Sequence, residues 1–285
     1  MFAIIGSLIV IGCVAGGFVL SHGNLATLWQ PYEVLIICGA ALGAFVISNP
    51  PKVIKAALGG MLGLLKGAKY GKKEYLDLLS LMFTIFSEAR KQGMMAIEEH
   101  IEDPASSSIF SNYPKIVKDH HAVDFICDYL RIIVGGNMNP FELENLMDIE
   151  LETHHHEAEQ PASAITRVSD ALPGFGIVAA VLGIVITMNS LSEPPDVIGA
   201  HVAAALVGTF LGILLAYGFV GPAAIAMEHQ AADDSKYLVC IKVCILATLN
   251  GYSPQIAVEF GRKTLISSVR PSFSELEEHL KSTKG

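Results

Sequence analysis

The chain has 285 residues, of which 52% are apolar and 16% charged, against about 25% charged in an ordinary globular domain. With a mean hydropathy of +0.48 and several long charge-free stretches, it suits a bilayer better than one large water-soluble core. Its net charge of −9 and lack of a basic patch exclude a general role on nucleic acid, whose phosphates require a positive surface.

Phe2 to Trp29 contains no Asp, Glu, Lys or Arg, and its apolar first part is long enough to cross about 30 Å of hydrocarbon. No lysine or arginine precedes it, so this first span is expected to stay in the mature protein. After a polar turn near Ser21 to Pro31 comes a short second span, Val34 to Ser48, with Glu33 at its mouth and Asn49-Pro50-Pro51 as its stop. The segment Lys52 to Asp170 reads as helices punctuated by Gly93, Asp103-Pro104, Tyr113-Pro114, Gly135-Gly136 and Asn139-Pro140. Within it, Ile116 to Val134 is predicted as one amphipathic helix, and another follows Pro140 with the apolar positions Phe141, Leu143, Leu146, Ile149 and Leu151 and a dense acidic surface.

Ala171 to Ser192 is predicted as the third span and Val197 to Met227 as the fourth, joined by a tight Glu193-Pro194-Pro195-Asp196 link. The fourth has 31 residues, about 46 Å of helix, and must tilt, kink or project. Glu228 to about Leu249 continues it as helix, a further helix begins after Pro254, and Pro271 to Glu278 opens another with serine capping. The expected fold is all-α: a polytopic membrane protein with four transmembrane helices and a helical cytoplasmic domain, divided as 1–49, 50–170, 171–227 and 228–285.

All 19 Lys and Arg residues fall between Lys52 and Arg167 or between Lys236 and Lys284. By the positive-inside rule those two segments and both termini are cytoplasmic, and the two short loops lie outside. Lys52, Lys55, Lys66, Lys69, Lys72 and Lys73 follow the second span and suit anchoring, with anionic headgroups as a further role. The five cysteines, Cys13, Cys38, Cys127, Cys240 and Cys244, form no disulfide framework, and core packing is expected for Cys240 and Cys244.

Chemistry-bearing constellations are sparse. Glu152-Thr153-His154-His155-His156-Glu157 is the densest ligand-type cluster, yet three consecutive histidines on a helix point three ways, so a solvated helix end is expected, with no metal and no cofactor. A membrane metalloenzyme would have to be built on this cluster. There is no nucleophile elbow and no phosphate loop, so no enzymatic turnover is expected. Gly12 and Gly16, Gly39 and Gly43, and the row Ala204, Gly208, Gly212 and Ala216 give flat strips for close helix approach, and the length of the last row favours an assembly surface.

Ion-coupled machines place an ionisable group in the bilayer, but spans three and four hold no carboxylate, only His201 and Tyr217. If protons pass, another chain must supply the carrier. Pro173 stands where the third span begins, as a first helical residue or a kink, and Pro222 interrupts apolar helix on both sides. Arg90 and Glu98 are read on the helix before Pro104, about 12 Å apart along its axis. Neither has an opposite charge within its own helix, which leaves both available to a charged partner or to water.

Four blocks in order, DALPGFGIVAA (170–180), VGTFLGILLAYGF (207–219), AVEFGRK (257–263) and RPSF (270–273), closely resemble the MotA family of flagellar stator subunits, in the MotA/TolQ/ExbB proton channel superfamily. The resemblance implies a bacterial inner-membrane homopentamer around two copies of MotB, a single-span partner whose membrane aspartate carries the proton and whose outer domain holds peptidoglycan. It further implies that the cytoplasmic domain pushes the rotor protein FliG. Arg90 and Glu98 match the family's rotor-contacting charges, Pro173 and Pro222 its coupling prolines, and Ala180, Thr209 and Tyr217 fall on the ion path. Sodium-type relatives carry a hydroxyl where Ala180 stands. Thr209 alone cannot surround a dehydrated cation that wants several oxygens, so the translocated ion is expected to be the proton. Transducers of the ExbB or TolQ kind also surround a single-span partner, but they have three spans against the four expected here.

Overall fold

A computed structural model of the chain describes residues 2–65, 67–136 and 138–282. Lys66 of the basic cluster lies outside them. Every regular element among the described residues is helical, and four helices are long and apolar enough to cross a membrane. The chain divides into two compact units, Met1–Gly67 with Glu157–Gln230, and Ala68–His156 with Ala231–Gly285.

In the first unit, α1 (Phe2–Leu20) ends in a turn where His22 takes a positive φ of 62°. Asn24 then caps a short 3₁₀ turn, Leu25–Leu28, by accepting from Ala26 N at 3.0 Å. α2 (Pro31–Ser48) starts on proline, whose fixed φ and missing N–H suit a first helical position. It stops at Asn49 because the residue before Pro50-Pro51 is pushed out of helical geometry. Pro51 starts α3 (Pro51–Gly63), which buries Val53 and Ala57 against Phe45, Ala162, Ile165 and Ala224, while Leu58 and Leu62 remain exposed on its other side.

α4 (Lys72–Gln92) is the spine of the second unit. Leu78, Leu79, Met82, Ile85 and Phe86 are buried along it, each contributing about 1.5–3 kcal/mol of burial. Gly93, with φ 93°, ends it, and a 3₁₀ turn (Met94–Ile97) leads into the short α5 (Glu98–Glu102). Arg90 and Glu98 therefore do not share one helix as the spacing suggested. Glycine is the residue that adopts this φ without strain.

The expected single helix from Ile116 to Val134 is also broken, into α6 (Pro114–Val117) and α7 (His120–Val134). Asp119 between them has φ −95° and ψ 84°, and its carboxylate accepts the Tyr70 hydroxyl and pairs with Lys69 at 3.0 Å. A tertiary ion pair here overrides a continuous apolar period.

α8 (Pro140–Asn189) contributes residues 140–156 to the second unit and the rest to the first. Pro161 and Pro173 both lie inside it, so Pro173 interrupts a helix already under way and does not begin one. α9 (Pro195–Leu215) runs through a π-helical turn, Ala216–Val220, into α10 (Gly221–Leu249).

α11 (Pro254–Thr264) lies against α4 and α10, and α12 (Phe273–Ser282) against α4. A Cβ on Gly261 would fall 2.2 Å from Cys244 Sγ and 3.1 Å from Cys240 Sγ, so this glycine is required for α11 to dock. Both thiols are fully buried; the Cys244 thiol is pushed well up by its contact with Cys240 and by burial, which keeps it inert. Ser272 and Glu275 form a reciprocal capping box at α12, Glu275 N donating to Ser272 Oγ at 3.1 Å and Ser272 N to Glu275 Oε2 at 2.6 Å.

Candidate functional site

Within the first unit α8 and α9 approach at glycine. A Cβ on Gly212 would lie 2.7 Å from the Leu172 carbonyl oxygen, and one on Gly176 3.0 Å from that of Gly208. Gly208 and Gly212 of the α9 row, expected on an assembly surface, are therefore spent on packing within this chain, because only residues without a Cβ allow α8 so close. The same approach sets Ala180 and Thr209 at one level: a Cβ on Gly208 would lie 3.6 Å from Ala180 N, and one on Gly176 3.4 Å from Thr209 Cα. Neither side chain brings more than one oxygen, so this pair alone does not coordinate a bare cation.

Two prolines and one serine shape the next level. Pro222 has no N–H for the Gly218 carbonyl and its ring would crowd that oxygen. The preceding turn widens to π geometry, with Gly221 N–H donating to Ala216 O five residues back. The same Ala216 oxygen accepts the Ser169 hydroxyl at 3.0 Å. Ser169 is buried and stands four residues before Pro173, at the carbonyl that Pro173 leaves without its helical partner. One serine thus joins the two proline-loosened stretches. Residue-type reading passed over Ser169; its signal is a hydroxyl four residues ahead of a mid-helix proline. Tyr217 lies inside the π turn with its side chain exposed.

In the second unit Arg90 and Glu98 are exposed on either side of the Gly93 break. Among the described residues, neither has an ion-pair or side-chain hydrogen-bond partner. Nearby Arg131 is fully engaged instead, by Glu102 at 2.6 Å, Asp128 at 2.7 Å and the Ile101 carbonyl at 2.9 Å. Arg90 borders a hollow of about 310 Å³ lined by Phe86, Met94, Thr248, Tyr252 and Pro254. An apolar recess beside an unpaired guanidinium suits a partner that brings both an acid and an aliphatic side chain.

A second hollow of about 560 Å³ is lined by Lys69, Tyr70, Lys115, Asp119 and His120. Burial would push the Asp119 carboxyl up, but the Tyr70 hydroxyl and Lys69 hold it below the ordinary carboxylate range. Burial raises Asp234 to about 6. Of the basic cluster, Lys69 and Lys72 are paired with Asp119 and Glu275, and the Lys72 contact helps hold Glu275 at about 2. The histidine run is not the solvated helix end expected of it: it lies inside α8, half-buried at His154 and His155, because the His154 ring packs edge-on to His121 while His155 Nδ1 meets Ser235 Oγ at 3.3 Å. Among the described residues no three His, Cys, Asp or Glu side chains converge on a metal.

The last two sequence blocks are structural. Arg262 is buried, binds Glu259 through two nitrogens and donates to the Pro271 carbonyl at 2.9 Å, and Arg270 Nε donates to Leu265 O at 2.9 Å. These bonds fasten the loop between α11 and α12.

The Motility protein A N-terminal model matches residues 4–93, and the MotA/TolQ/ExbB proton channel family model matches residues 119–238. The chain is 50% identical over 284 residues to Motility protein A of Salmonella typhimurium and, equally, to that of Escherichia coli, covering 100% of this chain and 96% of theirs. It belongs to the motility protein A family. Its function is that of the family, a membrane subunit of the flagellar stator. The Chemotaxis protein LafT of Vibrio parahaemolyticus is 38% identical over 99% of both chains. The solved C. jejuni MotAB structure shares the fold at TM-score 0.76 and 20% identity, over 95% of this chain and 98% of that one. The flagellar MotAB stator complex of Bacillus subtilis does so at TM-score 0.70 and 24% identity, over 90% and 92%.

Proposed function

We propose that five copies of this chain surround two copies of MotB in the inner membrane, with both termini and the second unit on the cytoplasmic side. Protons bound and released by the MotB aspartate then step the ring, and Arg90 and Glu98 transmit each step to FliG. The observation that carries this reading is the Ser169–Ala216 bond between the Pro173 and Pro222 stretches. It joins two helix segments with weakened backbone ladders, a place where a small charge change can shift helix geometry. One elementary charge moving through about 150 mV releases about 3.5 kcal/mol, several times thermal energy. No covalent intermediate is needed.

Arg90→Glu or Glu98→Lys should abolish or strongly slow rotation at unchanged membrane levels, and a compensating reversal on FliG should restore part of it. Loss of the variants from the membrane would overturn the rotor-contact assignment. Rotation should persist without sodium and stop with a protonophore; strict sodium dependence would overturn the proton assignment made from Ala180 and Thr209. Counting copies in images of the purified complex tests the five-to-two stoichiometry.

A further inference from the structure

Glu33 stands in the first turn of α2, where the helix dipole accommodates an acid and a hydrated helix-end group would suffice. Its side chain turns inward instead. A Cβ placed on Gly208 of α9 would lie 3.5 Å from Glu33 Cγ, 3.2 Å from Ala179 Cβ and 3.6 Å from Ala180 N. Glu33 Oε2 is enclosed and, among the described residues, meets no hydrogen-bond partner. A carboxyl oxygen enclosed in this way calls for a partner that donates a hydrogen bond to it.

Seven residues before Gly208, on the same face of α9, His201 Nδ1 is likewise enclosed without a hydrogen-bond partner. The segments around Glu33 offer no fixed charge: 171–192 has no titratable acid, base or histidine, 197–216 has His201 alone, and 2–20 has only Cys13. The small side of α9 therefore carries the imidazole of His201 and, seven residues further in, meets the carboxyl-bearing side chain of Glu33 from α2 at the level of Ala180.

We propose that Glu33 is a proton-relay carboxyl on the outer side of the ion path, loaded by way of His201 and discharging inward past Thr209. The Glu33 carboxylate accepts one proton from the His201 imidazolium, which is left as neutral imidazole, or from hydronium, which is left as water; it becomes neutral, and it passes the proton to the partner's carboxylate as it returns to its charged form, with no electron moved. This inference rests on the stator reading and deepens it. A packing-only Glu33 would tolerate the isosteric amide, whereas a relay would not.

The test uses the full chain with its MotB partner in motile cells, reading single-motor speed at low load, where proton supply limits rotation, and torque near stall. Glu33→Gln should slow low-load rotation at least about threefold and steepen its dependence on external pH, with stall torque nearly unchanged, and Glu33→Asp should recover most of the speed. Parent-like speed in Glu33→Gln, or equal slowing in both variants, would overturn the proposal. If Glu33→Gln does not accumulate in the membrane, His201→Gln is read in its place: slower low-load rotation with a steeper dependence on external pH supports the relay, and parent-like speed and profile sink it. Failure of the stator reading itself would appear differently, as no rotation with the parent chain.

Discussion

Leu78 in the second unit has none of its surface exposed and is enclosed by its own chain. In the first unit the large aliphatics of α8 (Ile177, Val181, Ile184 and Ile186) are exposed, and the seam between α8 and α9 is made by small residues: Gly176, Ala179, Ala205, Gly208 and Gly212. The second unit is thus organised as a water-soluble domain, driven by removal of apolar surface from water. The first draws no such force from its outward side chains, because lipid is as apolar as they are. Its helices are held by close backbone packing and a few enclosed polar contacts.

The sharpest test of that contrast pairs two truncations. Leu78→Ala should destabilise the second unit by about 2–5 kcal/mol, while Ile186→Ala should cost less than about 0.5 kcal/mol; thermal unfolding in detergent reads both. Equal losses would break the comparison. Next come two glycines of the first unit. Gly212→Ala meets the Leu172 carbonyl, which cannot yield without separating α8 from α9, and should cost about 1–3 kcal/mol. Gly59→Ala has open space within 4 Å and lies in a helix, so it should stabilise by about 0.5–1 kcal/mol. If both lower the thermal midpoint alike, tight packing is not what holds the spans.

Smaller effects sharpen the picture of the second unit. Ser272→Ala removes the cap of α12 and should cost about 1 kcal/mol, seen as faster amide exchange over 273–282. Asp234 contributes in the opposite sense. Its folded pKa of about 6 exceeds the unfolded value near 3.9, so its stabilising contribution is complete below about pH 4 and lost as pH rises through 6. Asp234→Asn should therefore raise the thermal midpoint at pH 7. Discounted for partial exposure, the gain is under about 1 kcal/mol, or about 2 °C. It should also flatten the pH dependence between those limits.

Much of this was legible beforehand because bilayer thickness and charge distribution act through simple counts: the ends of the first two spans, the proline-rich link after the third and the capped last helix all follow from residue type. The helix break at Gly93 was visible as a punctuator, but the span between Arg90 and Glu98 still read as one helix, since a single glycine is often tolerated mid-helix. Asp119 was harder, because the apolar period runs through it and only Tyr70 and Lys69, distant in sequence, break the helix there.

Residue order alone specified the all-helical class, the four apolar stretches and the absence of a carboxylate on spans three and four, because these depend on local propensity and on transfer from water. Which small residues touch, that Ser169 reaches Ala216, and that Glu33 leaves its helix end to lie against Gly208 emerged from the fold. Such contacts join positions separated by 47 residues in one case and by far more in the other, and they depend on atomic distances that no periodicity encodes.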